Sequence, residues 1–257
     1  MIVATWNVNS LNVRLSHVID WLQRCQPEIL CIQETKLTDD KFPVDAFAQA
    51  GYHCEYFGEK AYNGVSIISK GIPTAIQKGF PDDAQSDSKR FIEITVGPIS
   101  IINVYIPNGQ EVGSEKFHYK LAWIERLKNY LKMHHQPEDM VVICGDFNVA
   151  VEDRDVYDPS AMAGQILFSE AEKSAIQSLY DWGFIDTFRL HHKESGLYSW
   201  WDYRAMAFRR KLGLRIDHIW ATRPLASVCT RSWIDVEPRK LEKPSDHTPV
   251  ASEFKTG

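Results

Sequence analysis

The sequence lacks several features that would narrow its function at once. None of its 257 residues belongs to an apolar stretch approaching the roughly 20 residues that a membrane helix needs. The first residues have neither the basic nor the apolar region of a secretory signal peptide. No repeat, linker or low-complexity segment interrupts the chain. We therefore expect a cytoplasmic protein with no membrane partner, folded as one domain over residues 1–257.

Cysteine is scarce and scattered. The five cysteines stand singly, without a Cys-x-x-Cys pair and without histidines at the spacing of a zinc site. An odd, dispersed set of thiols is typical of a reducing compartment, where cysteines behave as small core residues. A disulfide scaffold is therefore not expected, and a chain of this length can form a sufficient core without one.

Positive charge is not in excess. The 29 lysines and arginines face 34 aspartates and glutamates, which gives a formal charge of −5. A protein that coats nucleic acid usually has a basic excess. A nuclease is still compatible, because the carboxylates of a metal site lower the net charge while phosphate contacts come from a local basic stripe. One dense basic run is either such a stripe or a solvated loop: Arg209, Arg210, Lys211 and Arg215.

Short apolar runs rich in β-branched residues recur along the chain and predict buried strands. They cover residues 2–6, 29–32, 64–69, 99–105 and 140–144. Amphipathic spacing predicts helices over residues 13–25, 117–133 and 170–182. The stretch 52–108 is poor in helical pattern and is expected to form antiparallel neighbours. Helices outside strands that are apolar on both faces predict a layered α/β domain.

Polar residues follow several of these runs, where the strands are expected to end. They are Asn7, Glu34, Asp146, Asn148, Asp217 and Asp246. Each alone has an ordinary explanation: such residues stabilise turns, Asp217 has Arg215 nearby as an ion-pair partner, and Asp246 and His247 can share a loop hydrogen bond. Together they are more informative, because converging carboxylates repel one another unless a cation lies between them. Oxygen ligands without sulfur favour Mg²⁺, with Mn²⁺ as a substitute.

Eight motifs follow one another along the chain: Thr5-Trp-Asn-Val-Asn-Ser-Leu, Pro27-Glu-Ile-Leu-Cys-Ile-Gln-Glu-Thr-Lys, Asn103-Val-Tyr-Ile-Pro-Asn-Gly, Gly145-Asp-Phe-Asn-Val-Ala, Asp186-Thr-Phe-Arg, Tyr198-Ser-Trp-Trp-Asp-Tyr-Arg, Gly213-Leu-Arg-Ile-Asp-His-Ile and Glu242-Lys-Pro-Ser-Asp-His-Thr-Pro-Val. In this order they resemble the exonuclease III and apurinic endonuclease branch of the endonuclease/exonuclease/phosphatase superfamily, over essentially the whole chain. The resemblance implies a four-layered α/β/β/α sandwich of two packed mixed sheets flanked by helices. It also implies a Mg²⁺-dependent DNA-repair nuclease that hydrolyses phosphodiesters at abasic sites and blocked 3′ ends, with 3′→5′ exonuclease activity on duplex DNA.

The resemblance implies roles for the strand-end residues. The metal ligands would be Asn7, Glu34 and Asp246. Asp146 would orient or deprotonate the attacking water, and Asn148 and Tyr105 would hydrogen-bond the phosphate in the transition state. His247, oriented by Asp217, would contact a non-bridging phosphate oxygen, since an aspartate behind a histidine favours the imidazolium.

The implied partner is double-stranded DNA with abasic sites, nicks or 3′ termini, bound by a monomer. Trp200, Leu214 and Ile216 resemble the apolar pocket that receives a base-free sugar. The alternative is that the aromatic residues around Trp200, Trp201 above all, belong to the core. Backbone phosphates would be held by Asn108, Lys116 and Tyr119.

Two positions depart from the family pattern. Leu190 stands where a basic residue usually follows the Asp-Thr-Phe-Arg motif. Leu167 stands where relatives that incise internal abasic sites typically carry a small residue. A bulky side chain there would obstruct a continuous strand and still admit a 3′ terminus. We therefore expect 3′-end processing to be favoured over internal incision.

Two alternatives stay open at this point. Sphingomyelinases and inositol-phosphate phosphatases share the Asn, Glu, Asp-x-Asn and Asp-His elements, although the Gln-Glu-Thr-Lys and Ser-Trp-Trp-Asp-Tyr-Arg motifs favour the DNA-repair branch. The second is a catalytically weak relative that acts as an RNA-binding regulator.

Overall fold

The computed structural model describes residues 1–81 and 89–255. Its strands are β1 (Ile2–Asn7), β2 (Ile29–Gln33), β3 (His53–Phe57), β4 (Val65–Ser69), β5 (Ala75–Lys78), β6 (Phe91–Val96), β7 (Ile99–Tyr105), β8 (Val141–Asp146), β9 (Phe184–Asp186), β10 (Asp217–Thr222), β11 (Cys229–Ile234) and β12 (Val250–Phe254). Its α-helices are α1 (Leu11–Cys25), α2 (Val44–Gln49), α3 (Glu115–His134), α4 (Pro159–Met162), α5 (Glu170–Trp182), α6 (Thr187–His191), α7 (Ala207–Arg210) and α8 (Arg223–Ala226). None of the helices in these ranges is long and apolar enough to cross a membrane.

The strands form two six-stranded sheets. The first has the order β11-β12-β1-β2-β4-β3 and the second the order β5-β6-β7-β8-β10-β9. Both sheets are mixed, because β1 and β2 run parallel in one and β7 and β8 run parallel in the other, among antiparallel neighbours. The stretch 52–108 consists of antiparallel pairs as predicted, with β3 and β4 in the first sheet and β5 to β7 in the second.

The layers follow from strands that are apolar on both faces. Successive side chains of a strand point to opposite faces. On β8, Val142 and Cys144 pack between the two sheets, whereas Val141 and Ile143 pack beneath α3 and α5. The first sheet packs its other face against α1 and α2. The four-layered α/β/β/α sandwich expected from the resemblance is thereby confirmed; a single domain over 1–257 stays a prediction.

The predicted elements agree closely with the observed ones, and the differences have local causes. Helix α5 and strand β7 have the predicted limits. Helix α3 begins two residues earlier than predicted, because the Ser114 hydroxyl accepts a hydrogen bond from the Phe117 amide and caps the helix. Helix α5 begins with a capping box formed by Ser169 and Glu172.

The basic run does not form one surface stripe. Arg209, Arg210 and Lys211 are exposed on and after α7, but Arg215 is 1% exposed and donates to Asp155 and Asp186. Burial without paired carboxylates would be costly for a guanidinium, so Arg215 belongs to the interior and not to a phosphate-binding stripe. The same contacts exclude Arg215 as the ion-pair partner of Asp217, whose carboxylate contacts His247.

Candidate active site

The two sheets bring their polar strand ends to the same edge of the sandwich. In the second sheet, Tyr105 and Asp217 both lie beside Asp146 in the strand register. Asn7, at the end of β1, connects the sheets: its Nδ2 donates to Glu34 Oε1 and to Asp146 Oδ2, each at 2.8 Å. Residues 139 positions apart thus meet because the two sheets pack face to face with the ends of β1 and β8 at the same edge.

The backbone bends sharply where the strands end. Glu34 and Asn148 have positive φ angles of 52° and 51°. Residues other than glycine adopt this left-handed conformation at a cost of about 1 kcal/mol or more, and such strain concentrates at functional sites. Both residues lie close to Asp146, whose Oδ1 accepts a hydrogen bond from the backbone N–H of Asn148 at 2.9 Å.

A histidine lies between two aspartates at the centre of this edge. His247 Nδ1 is 2.9 Å from Asp217 Oδ2, and its Nε2 is 3.7 Å from Asp146 Oδ2. Burial by itself lowers the pKa of the His247 imidazole, but Asp217 and Asp146 outweigh burial and raise that pKa to about 10. His247 is therefore an imidazolium at neutral pH, a donor suited to a phosphate oxygen.

Asp146 itself is poised to exchange a proton near neutral pH. Burial raises the pKa of its carboxyl, and Asp217 raises it further, against the opposing effects of His247 and Asn7, so that it lies at about 7. A general base works best when its pKa lies near the working pH. The geometry therefore fits the role predicted for Asp146 toward the attacking water.

Glu34 and Asp146 bring carboxylate oxygens together beside His247, which as an imidazolium has no free nitrogen for a metal ion. One side-chain oxygen or nitrogen atom from each of the three lies within 4.8 Å of the others. Burial raises the pKa of Glu34, but Lys36 and Asn7 outweigh it and keep that pKa below its ordinary value, so Glu34 is a carboxylate at neutral pH. A charged carboxylate beside further oxygen donors fits a hard divalent cation.

Asp246 lies beside this group rather than in it. Its Oδ1 accepts from Asn9 Nδ2 and its Oδ2 from Trp200 Nε1, each at 3.0 Å. Burial raises its pKa, but His247 and the two hydrogen bonds outweigh burial and keep that pKa low. The metal-ligand roles of Asn7, Glu34 and Asp246 stay predictions.

Hydrogen-bond donors surround Asp146 on its second-sheet side. Burial raises the pKa of the Tyr105 phenol, and Glu34 and Asp146 raise it further, so Tyr105 stays protonated and can donate. Asn108 Nδ2 donates to Asn148 Oδ1 at 3.1 Å, which places the two predicted phosphate contacts side by side. Lys116 and Tyr119 are exposed at the start of α3, and their predicted phosphate contacts stay predictions.

An apolar cavity of about 390 Å³ lies beside Trp200, a neighbour of His247. Leu167, Trp200 and Leu214 line it, whereas Ile216 lies behind the wall, 1% exposed, in the same apolar cluster. Trp200 pairs through its backbone with both Leu214 and His247. Trp201 packs instead with Tyr198 and Ala207, as the core alternative predicts.

Three lysine or amide residues of this edge carried no predicted role. Lys36 Nζ is 2.9 Å from Glu34 Oε2 and also donates to Asn9 Oδ1. Both residues belong to motifs quoted above, which is the signal that could have found them. Lys120 is fully buried beneath Asn148; its signal was a lysine at a position of the apolar stripe that Phe117, Ile124 and Leu127 define on α3.

Comparisons with known proteins agree with this geometry. Residues 4–247 match the model of the Endonuclease/Exonuclease/phosphatase family. Exodeoxyribonuclease III of Haemophilus influenzae is 35% identical over 263 residues, which cover 98% of each protein. Among solved structures, the 3′ phosphatase NExo from Neisseria bound to product DNA hairpin is 42% identical, with a TM-score of 0.95 over 100% of both chains. An AP endonuclease from Archaeoglobus fulgidus is 41% identical, with a TM-score of 0.96 over 100% of both chains.

Proposed function

Because the chain belongs to the endonuclease/exonuclease/phosphatase family, and within it to the hydrolases related to exodeoxyribonuclease III, we propose that it is a Mg²⁺-dependent DNA-repair nuclease. Its substrates are abasic sites, nicks and blocked 3′ ends of duplex DNA, and Mn²⁺ can replace Mg²⁺. The observation that carries the proposal is the Asp146–His247–Asp217 arrangement beside Glu34, linked to an apolar cavity through Trp200. The cytoplasmic monomer expected above is part of the proposal.

The residues divide the reaction among them. Asp146 accepts the proton of the attacking water, since the pKa of its carboxyl is about 7. His247, held as an imidazolium by Asp217, donates to a non-bridging phosphate oxygen as negative charge builds there. Tyr105, Asn148 and Asn108 add neutral donors to the same phosphate. A divalent cation held by Glu34 with Asn7 and Asp246 would neutralise phosphate charge and assist the leaving oxygen.

The apolar cavity is suited to a sugar without a base. Its walls from Leu214 and Trp200 offer apolar surface, while Trp200 Nε1 is fixed by Asp246. A flipped abasic deoxyribose can enter such a pocket without leaving base hydrogen-bonding groups unpaired. Because Trp200 also borders His247, a sugar in the cavity has its phosphate near the reactive group.

Leu167 tunes which DNA ends reach the site. Its φ angle is 73°, a conformation that favours glycine, yet the chain carries a leucine whose side chain lines the cavity. The Glu172 carboxylate accepts from the Leu167 amide and Ala150 donates to its carbonyl, so the strained residue is held in place. We propose that this side chain narrows the path of a continuous strand and favours 3′-end processing over internal incision.

The test compares two labelled duplexes, one with an internal abasic-site analogue and one with a nick that carries a 3′-phosphate. Wild type is run with Mg²⁺, with EDTA, and beside Asp146→Asn. Cleavage that both controls abolish establishes the nuclease. Silence of the wild type on both duplexes contradicts it and favours the RNA-binding alternative.

The steric role of Leu167 is tested on the same pair of duplexes. Leu167→Gly should raise internal abasic cleavage relative to 3′-phosphate removal, and glycine relieves the backbone conformation rather than straining it. Leu190→Ala, at an exposed leucine outside the cavity, is the matched control and should leave the ratio unchanged. An unchanged ratio in Leu167→Gly rules out the steric role.

A further inference from the structure

A single buried ammonium lies beneath the candidate active site. Lys120, on α3, is 0% exposed, and its Nζ donates to three acceptors. Two are backbone carbonyls, that of Asn148 at 2.7 Å and that of Asn108 at 3.1 Å; the third is the Glu172 carboxylate. All three ammonium protons are therefore used, and this lysine has none left for DNA.

Glu172, the partner of Lys120, accepts hydrogen bonds with both carboxylate oxygens. It is 0% exposed on α5. One carboxylate oxygen accepts from the Leu167 amide at 3.1 Å and from Lys120, and the other accepts from the Ser169 amide at 3.0 Å and the Ser169 hydroxyl at 2.6 Å. The pair thus ties the segment before α5, which carries Leu167, to the start of α3.

Three loops meet at this pair, and each carries a residue of the proposed site. Residues 106–110 follow β7 and carry Asn108; residues 147–150 follow β8 and carry Asn148; residues 165–169 carry Leu167. The loops are also in direct contact: Ala150 donates to the Leu167 carbonyl at 2.8 Å. At Gly109, a Cβ would lie 3.1 Å from Lys120 Cδ, so the loop packs closely on the lysine stem.

We propose that Lys120 and Glu172 are a positioning pair that sets the phosphate-contacting amides of Asn108 and Asn148 and the cavity wall at Leu167 relative to one another. The inference rests on the proposed function and identifies the residues that hold the proposed substrate contacts in their relative positions. Neither residue touches the reacting atoms; the pair acts through the backbone of the residues that do.

A purely structural role explains the arrangement less well. A buried ion pair commonly contributes little net stability over apolar residues of the same shape. Here burial lowers the pKa of Lys120, and the charge and hydrogen bond of Glu172 oppose that effect. What apolar side chains cannot replace is the bonding of two loop carbonyls by one group. Asn148 and Leu167 have φ angles of 51° and 73°, and surrounding contacts must hold both residues in this left-handed conformation.

The test uses the neutral pair Lys120→Met with Glu172→Gln, which keeps the length of the Glu172 side chain and most of that of Lys120 and leaves no unpaired buried charge. Lys128→Met is the matched control, since Lys128 lies on the same helix and pairs with Glu125 at the surface. On the 3′-phosphate duplex, kcat of the neutral pair should fall about 10- to 100-fold with KM within about threefold, because a displacement near 1 Å costs that much in a transition-state contact. Lys128→Met should match wild type.

A double-mutant cycle separates positioning from general loosening. If the pair acts through Asn148, the same neutral pair placed in an Asn148→Ala background should lower kcat by less than about threefold, since the contact it positions is already gone. An equal fall in both backgrounds overturns the proposal. So does a neutral pair whose kcat equals that of Lys128→Met.

Hydrogen exchange decides the inference even if the proposed function fails. In the free protein, amides of 106–110, 147–150 and 165–169 should exchange at least about tenfold faster in the neutral pair than in Lys128→Met, with the β7 and β8 amides unchanged. Wild type that cuts neither duplex contradicts the proposed function alone. Unchanged exchange in the three loops contradicts the positioning pair alone.

Discussion

Two buried clusters each surround one basic side chain with two aspartates. They are neighbours in the sequence at Arg215 and Asp217, where β10 begins. The arginine cluster consists of Asp155, Asp186 and Arg215, and the histidine cluster of Asp146, Asp217 and His247. Every member of both clusters is at most 5% exposed. One cluster serves the fold and the other the proposed chemistry, so burial and charge alone do not distinguish them.

The difference lies in which charges can change near neutral pH. Arg215 Nε and Nη2 donate to Asp155 and Asp186 at 2.7 to 3.1 Å, and Arg189 adds a further bond to Asp155. Although burial alone raises the pKa of Asp155, its two arginines lower it well below the ordinary value. Neither charge of that pair changes near neutral pH.

The histidine cluster is bonded on one side. His247 Nδ1 contacts Asp217, whereas the 3.7 Å between Nε2 and Asp146 is too long for a direct hydrogen bond. An oxygen placed between them can therefore meet both a donor and a carboxyl whose pKa is about 7. A carboxyl that titrates near neutral pH, facing a histidine nitrogen across a gap, distinguishes the reactive cluster from the structural one.

The largest expected effect is on activity, from Asp146→Asn. Removing the charged acceptor should lower kcat about 10²- to 10⁴-fold, the range that general base catalysis contributes. The melting temperature should stay within a few degrees of wild type, because asparagine keeps the shape and removes a buried charge. Steady-state rates and thermal melts check this together. A large fall in melting temperature together with the fall in kcat would mean that Asp146 stabilises the fold as the arginine cluster does, and would contradict the distinction between the two clusters.

The largest effect on stability should come from the arginine cluster, through Arg215→Met. It leaves Asp155 and Asp186 buried with one cation fewer, which should lower the free energy of unfolding by about 3–5 kcal/mol. Chemical denaturation measures it. Arg209→Met, at an exposed position of the same basic run, is the control and should change it by less than about 0.5 kcal/mol. A small effect at Arg215 would mean that the cluster contributes little.

Asp217→Asn should act on the proton of His247. Asp217 raises the pKa of that imidazole, so without its charge the pKa falls and the imidazolium is lost at lower pH. We expect kcat at pH 8 to fall about 10- to 100-fold, within the range of a general acid–base contribution. The alkaline limb of the kcat profile should move to lower pH. A profile of unchanged shape contradicts this role.

The smallest expected effect is on the pH dependence of stability. The folded pKa of His247, about 10, lies above the unfolded value of 6.5. Its contribution is therefore complete below pH 6.5 and is lost as pH rises toward 10. Between pH 6.5 and 10, the melting temperature of wild type in EDTA should fall by at least about 2 °C more than that of His247→Gln. This is the shift that about 1 kcal/mol gives in a domain of this size. Parallel curves contradict the raised pKa.

Stability from Asp155 has the opposite dependence on pH. Its folded pKa is lowered, so its contribution is present above the unfolded aspartate value and is lost only as pH falls through the folded value. Melting temperatures of Asp155→Asn and wild type should therefore differ by a constant amount from pH 6.5 to 10. This constancy is the reference for the His247 experiment.

Much of the fold and of the site could be read from local sequence. Runs of β-branched residues identified β1, β2, β4, β7 and β8, and the helical stripes identified α1, α3 and α5. The polar residues after these runs include Asn7, Glu34 and Asp146, which the structure brings into direct contact. Such predictions succeed because backbone periodicity and capping depend on neighbours within a few residues.

What the sequence alone determined is therefore the order and type of the elements and which residues stand at their ends. Tertiary structure decided which charge meets which. Arg215 and Asp217 are two residues apart, yet their partners lie 60 and 30 residues away, and Lys120 finds Glu172 52 residues further on. The free energy of a buried charge depends on the groups around it in space. Whether a given side chain binds a ligand at the surface or forms an ion pair in the interior therefore depends on tertiary packing, which no local sequence pattern records.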